Sequence, residues 1–191
     1  YNPSYIFCEK NKLKKKNLYK SILRYKSYIL FERKKIVKIT FNKDLMLLMS
    51  TSGTTGSPKF VRQSYLNVLS NTKKIIKYLN IKSGDITITS LPISYVYGLS
   101  VINTHLFAGA TIVLTNSSMV EKKFWDLITN FKVNNFSGVP YNYSIIEKIS
   151  RNGLPSSLKY TTQAGGKMNT AHADIIKILK EDYPDMEDEK Q

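Results

Sequence analysis

Apolar and polar positions change rhythm along this chain, and each rhythm marks an element. Tyr5, Ile6, Phe7 and Cys8 are a compact apolar group, so residues 1–8 read as a turn and a short strand. Lys10, Lys12, Lys14, Lys15, Lys16 and Lys20 follow, a density whose default reading is a solvated helix face. Residues 28–31 predict a strand, and Ile36, Val37, Ile39 and Phe41 alternate toward another before Asn42, Lys43 and Asp44 make a turn. Leu45, Met46, Leu47, Leu48 and Met49 form a strand that empties into residues 51–59, after which Phe60 and Val61 open a second strand.

The next part of the chain beats regularly. Ser64 is placed as an N-cap, and Tyr65, Val68, Leu69, Thr72, Ile75, Ile76 and Leu79 recur at helical spacing up to Asn80, which predicts a core-facing helix. Residues 82–85 turn into a strand over 86–91 that Pro92 ends. A helix is predicted over 95–107 with Gly109 as its cap, then a short buried strand over 111–115. Further elements are an amphipathic helix over 120–131, a strand over 135–139 stopped by Pro140, a helix over 143–149, a strand over 158–163, and a helix over 171–179. Strands alternating with helices at this spacing predict an α/β fold of right-handed βαβ units, with a parallel or mixed sheet covered on both sides. No internal repeat or low-complexity linker interrupts it.

Composition changes this picture little. Of 191 residues, 42% are hydrophobic and 12% aromatic, enough for a core. The net charge of +15, from 29 Lys+Arg against 14 Asp+Glu, would suit an acidic partner. Yet the lysines are spread over many segments and do not interleave with aromatics on one predicted face, so nucleic acid is not the expected partner. Cys8 is the single cysteine, which excludes an internal disulfide and points to a reducing cytoplasm. No run reaches the roughly 20 apolar residues of a membrane span. His105 and His172 lack ligand-spaced neighbours and read as surface or satisfied histidines. An acidic tail, residues 180–191, is expected to fray.

The candidate chemistry sits in residues 51–59, TSGTTGSPK. Gly53 and Gly56 let backbone N–H groups turn toward one anion; Thr51, Ser52, Thr54, Thr55 and Ser57 add hydroxyl donors, and Lys59 a point charge. A solvated loop is the bland alternative. The P-loop pattern G-x-x-x-x-G-K-[ST] does not fit, because the glycines are too close and Pro58 precedes the lysine.

Position for position, these nine residues resemble the signature of the adenylate-forming (AMP-binding) ligase superfamily, which includes acyl-CoA synthetases, aryl-CoA ligases, luciferases and peptide-synthetase adenylation domains. Tyr1, Pro3 and Ile6 are similar to the family's upstream Y-x-P-x-x-I. LPISYVYGL, residues 91–99, is similar to L-P-x-x-H-x-x-G, with Leu91, Pro92 and Gly98 matching and Tyr95 standing in the histidine's place. FSGVP, residues 136–140, resembles the strand ending in G-V-P; Tyr141 and Tyr143 would then lie near the acyl group or simply pack. TTQAGGKM, residues 161–168, matches in part, through Gly165 and Gly166.

The resemblance implies that a small carboxylic acid attacks the α-phosphate of ATP with Mg²⁺, and that a thiol of coenzyme A or a carrier protein then takes the acyl group. Thr51, Ser52, Gly53, Thr54, Thr55, Gly56 and Lys59 would hold the ATP phosphates, with Lys59 also stabilising charge. Gly165 and Gly166 would approach the nucleotide and acyl group, and Tyr95 and Gly98 would line the substrate pocket; for Tyr97 a core aromatic is an equal alternative. The family's Y-G-x-T-E segment, ribose-binding aspartate and lysine-bearing C-terminal domain are not found before Gln191. The expectation is therefore a partial N-terminal adenylation domain over residues 1–191, inactive by itself. A noncatalytic nucleotide- or partner-binding module is the alternative, and a basic nucleic-acid-binding protein a distant third.

Overall fold

A computed structural model describes residues 3–35, 40–50, 60–149 and 154–167. The chain divides into two compact units, Tyr1–Lys43 and Asp44–Gln191.

In the first unit three antiparallel strands, β1 (Tyr5–Glu9), β2 (Tyr19–Tyr25) and β3 (Tyr28–Arg33), lie in the order β1-β3-β2. The strands predicted at residues 5–8 and 28–31 are present. The lysine-rich segment does not form the expected helix: it makes turns, a 3₁₀ turn at Lys16–Leu18, and then enters β2. Tyr19, Ile22 and Tyr25 favour a pleated strand, and pairing with β3 outweighs the helix propensity of the lysines. Leu13, Tyr19, Ile29 and Phe31 form this unit's core, with Ile6 and Cys8 against it. Glu32 accepts from Lys20 Nζ at 2.8 Å and from the Tyr5 hydroxyl at 3.1 Å on the exposed face.

The second unit opens with an antiparallel hairpin of β4 (Leu45–Ser50) and β5 (Phe60–Ser64). Helix α1 (Tyr65–Leu79) follows directly, and Ser64 caps it in a reciprocal pair: Asn67 N–H donates to Ser64 Oγ at 3.1 Å, and Ser64 N–H to Asn67 Oδ1 at 3.1 Å. Asn80, at φ 51°, ends the helix in the left-handed region. The apolar side of α1 is only partly covered: Thr72 is buried, whereas Leu66 and Leu69 are exposed.

A parallel sheet of β6 (Ile86–Ile88), β7 (Thr111–Val113), β8 (Asn135–Gly138) and β9 (Tyr160–Gln163) has the order β7-β6-β8-β9. It is joined by α2 (Val96–Phe107), α3 (Lys122–Asn130) and α4 (Pro140–Ile149). Each strand is shorter than its predicted span. β6 ends at Ile88, because the Thr89 hydroxyl bonds the backbone of residue 115 and the chain then turns toward Pro92. Gly109, at φ 73°, ends α2 as expected.

The two faces of this sheet differ in chemistry. Ile88, Val113 and Phe136 pack with Phe124 and Ile128 of α3 and with Tyr143 and Ile146 of α4 in one apolar core. Alternation turns Thr87, Asn135, Ser137 and Thr162 to the other face, toward α2. There α2 is held by hydrogen bonds. Asn135 Nδ2 donates to Asn134 Oδ1 at 2.9 Å, and both ring nitrogens of His105 have a polar neighbour: Nε2 lies 3.1 Å from Asn135 Oδ1 and Nδ1 lies 2.8 Å from the Val101 carbonyl. His105 is thus a satisfied, buried histidine. His172, the helix expected over 171–179 and the acidic tail lie outside the described residues, as do Ile36, Val37 and Ile39. Among the described residues no helix is long and apolar enough to cross a membrane.

Candidate active site

Strand order decides where a crevice opens. From β6 the chain crosses by α2 to β7 on one side; from β8 it crosses by α4 to β9 on the other. The connections diverge between the carboxyl ends of β6 and β8, the place where open α/β sheets take ligands. The N-termini of α2 and α4 flank this gap, so the local field favours negative charge.

The segment leaving β6 is shaped by a glycine. A β-carbon on Gly98 would stand 2.3 Å from the Pro92 carbonyl oxygen, so only glycine lets the first turn of α2 fold back this closely. Tyr95 N–H donates to that same carbonyl at 3.0 Å, and Leu99 N–H to the Tyr95 carbonyl at 2.9 Å. Tyr95 is the N-cap residue of α2, 40% exposed. Gly165, at φ 90°, follows β9, and a β-carbon there would lie 2.7 Å from the Tyr95 hydroxyl and 3.4 Å from Val139 Cγ1. Gly166 sits against Pro140, with Gln163 Nε2 donating to its carbonyl at 2.8 Å. Tyr95 and Gly165, 70 positions apart in the numbering, are therefore neighbours where the connections diverge, while Gly98 packs on Pro92 and Gly166 on Pro140.

Tyr97 and Tyr143, weighed above, join Thr162, Ser137 and Ser90, which were not, in one network of hydroxyls. Tyr97 Oη lies 2.7 Å from Thr162 Oγ1, and Thr162 Oγ1 lies 2.8 Å from Ser137 Oγ. Ser90 Oγ donates to the Ser137 carbonyl, and Tyr143 Oη to the Thr162 carbonyl at 2.7 Å. Asn142 closes the turn after β8, accepting from Val139 N–H at 2.8 Å through Oδ1. Small hydroxyl residues at the carboxyl ends of three predicted strands were the available signal. Burial pushes the phenols of Tyr97 and Tyr143 up, so both stay neutral. Tyr143 is buried and packs, while Tyr141 is exposed. A cleft of about 700 Å³, lined by Ser90, Pro92, Thr115 and Ser117 among others, opens beside the crevice between the ends of β6 and β7.

Thr51, Ser52, Gly53, Thr54, Thr55, Gly56 and Lys59 lie outside the described residues. Their flanks are described: Ser50 and Phe60 pair across the β4–β5 hairpin, so the segment starts and ends at one place. Among the described residues no three histidine, cysteine or acidic side chains converge.

Comparison with known proteins agrees with this architecture. The model of the AMP-binding enzyme family matches residues 6–180. An acyl-CoA synthetase of Alternaria alternata is 33% identical over 144 residues, 73% of this chain and 24% of its own length. The O-succinylbenzoate coenzyme A synthetase of Bacillus subtilis, solved in complex with AMP, superposes with a TM-score of 0.61 at 28% identity over 69% of this chain and 27% of that one. The inhibitor-bound N-terminal domain of FACL13 from Mycobacterium tuberculosis, at 23% identity, shares the fold with a TM-score of 0.65 over 75% of this chain and 36% of that one. The chain spans about a quarter of the length of the curated relative. With the family model matching nearly end to end, the chain belongs to the AMP-binding enzyme family.

Proposed function

We propose that these residues are part of an AMP-forming ligase that joins a carboxylic acid to a thiol. A carboxylate oxygen attacks the α-phosphorus of ATP, an acyl–O–P bond forms, and the bond to the β-phosphate breaks to release pyrophosphate. A thiol sulfur of coenzyme A or a carrier protein then attacks the acyl carbon, loses its proton, and AMP departs. Carboxylate and triphosphate repel, so the protein must align them and offset charge. In this reading the acid lies beside the Tyr95–Gly165 contact, with the N-termini of α2 and α4 toward its negative charge. Thr51, Ser52, Thr54, Thr55 and Lys59 would take the β- and γ-phosphates, and Gly53 and Gly56 would let the backbone approach them.

The observation that carries the proposal is the Tyr95–Gly165 contact at the β6–β8 divergence, in a chain of this family. The test is carboxylate-dependent exchange of labelled pyrophosphate into ATP by the intact protein. Label entering ATP only when an acid is present supports it. No exchange with any acid of a broad panel, from a protein that is folded and binds ATP, would leave a nucleotide-binding module instead.

A further inference from the structure

One side chain ties the first turn of α2 to the far edge of the sheet. Tyr97 reaches Thr162 of β9 at 2.7 Å, and Thr162 is itself fixed through Ser137 of β8 and Tyr143 of α4. Two residues earlier, the Tyr95 hydroxyl has no hydrogen-bond partner among the described residues, although it stands against Gly165. The place of the Tyr95 ring is therefore set by the backbone of that turn: its N–H on Pro92, its carbonyl accepting from Leu99, and Gly98 packed against Pro92. A polar anchor suits this task. Its length and direction are fixed, whereas apolar packing on this face is thin and would tolerate sliding.

We infer that Tyr97 is a positioning residue: its bond to Thr162 sets how closely Tyr95 covers Gly165, and so how large an acyl group the crevice accepts. The identity of the ligand rests on the ligase reading; the geometric claim does not. Without the bond, α2's first turn gains freedom, Tyr95 moves off Gly165, and discrimination between short and long acyl groups weakens.

Two measurements on the intact protein separate these claims. In the first, 3-fluorotyrosine replaces Tyr95 and its ¹⁹F resonance is read without ligand. Tyr97→Phe and Thr162→Val are each expected to shift and broaden that resonance, while Tyr25→Phe, in the other unit, leaves it unchanged. An unmoved resonance in a Tyr97→Phe protein that still unfolds cooperatively overturns the inference; if Tyr97→Phe does not fold, Thr162→Val decides by the same criterion. In the second, dissociation constants are measured for acyl sulfamoyladenosines with short and long acyl chains. Tyr97→Phe should reduce the preference for the short chain about three- to tenfold, the worth of one hydrogen bond. The same substitution should do nothing in a Tyr95→Ala background. An undiminished effect there would show that Tyr97 does not act through Tyr95. Failure of the wild-type protein to bind any of these analogues overturns the ligase reading alone, and the fluorine resonance then decides the positioning claim.

Discussion

The Tyr95 hydroxyl lies 2.7 Å from the point where a β-carbon on Gly165 would stand. A segment after β6 and a turn after β9 are thereby brought to one contact, across the place where the sheet's connections diverge. Gly165 also holds φ 90°, which side chains rarely adopt. Gly165→Ala should therefore destabilise the fold by about 1–3 kcal/mol through backbone strain and overlap with Tyr95. Tyr95→Phe in that background should recover part of the loss, because only the hydroxyl overlaps. Urea denaturation of the single and double variants measures both effects, and equal midpoints would contradict the contact.

Gly98 offers no such relief. Its missing β-carbon would meet the backbone oxygen of Pro92, not a side chain that can rotate. Gly98→Ala is expected to cost about 1–3 kcal/mol or more, and no substitution at Pro92 that keeps the carbonyl should rescue it. The readout is again the denaturation midpoint.

His105 makes the opposite kind of contact, a polar anchor in a buried layer. Replacing it with leucine leaves Asn135 Oδ1 without its ring-nitrogen partner in a site closed to water. The expected loss is about 1–3 kcal/mol, the cost of a buried group left unpaired. Chemical denaturation should show it with an unchanged slope.

Alkali provides a further test. Burial raises the phenols of Tyr97, Tyr143 and Tyr160 above the ordinary value of 10.0. A folded-state value above the unfolded one gives stability that is complete below about pH 10 and lost as pH rises beyond it. The denaturation midpoint should stay level from about pH 8 to pH 9 and fall by about pH 11, more shallowly in Tyr143→Phe. A midpoint that falls equally in that variant would remove Tyr143 from the account.

How much of this was written in the chain depends on distance. Local signals were legible: Ser64 with Asn67 makes a cap from residues three apart, and Gly109 ends α2. Helix and strand periods placed β6, β7, β8 and β9 and the helices between them. The lysine run before Tyr19 misled, because a local propensity was read without the β3 pairing that overrides it. The Tyr95–Gly165 proximity and the Tyr97–Thr162 bond, across 65 residues, depend on strand order, which periodicity does not carry. Motif likeness named Tyr95, Gly98, Gly165 and Gly166 but not Ser137 or Thr162, whose places at strand ends gain meaning only once β8 and β9 are paired.

The most direct measurement is a map of backbone amide shifts in the intact protein on addition of an acyl sulfamoyladenosine. The account predicts that the amides of Tyr95, Gly98, Gly138 and Gly165 move together and saturate at one ligand concentration. Amides at these positions that stay still, with the changes gathered instead in residues 5–33, would contradict it.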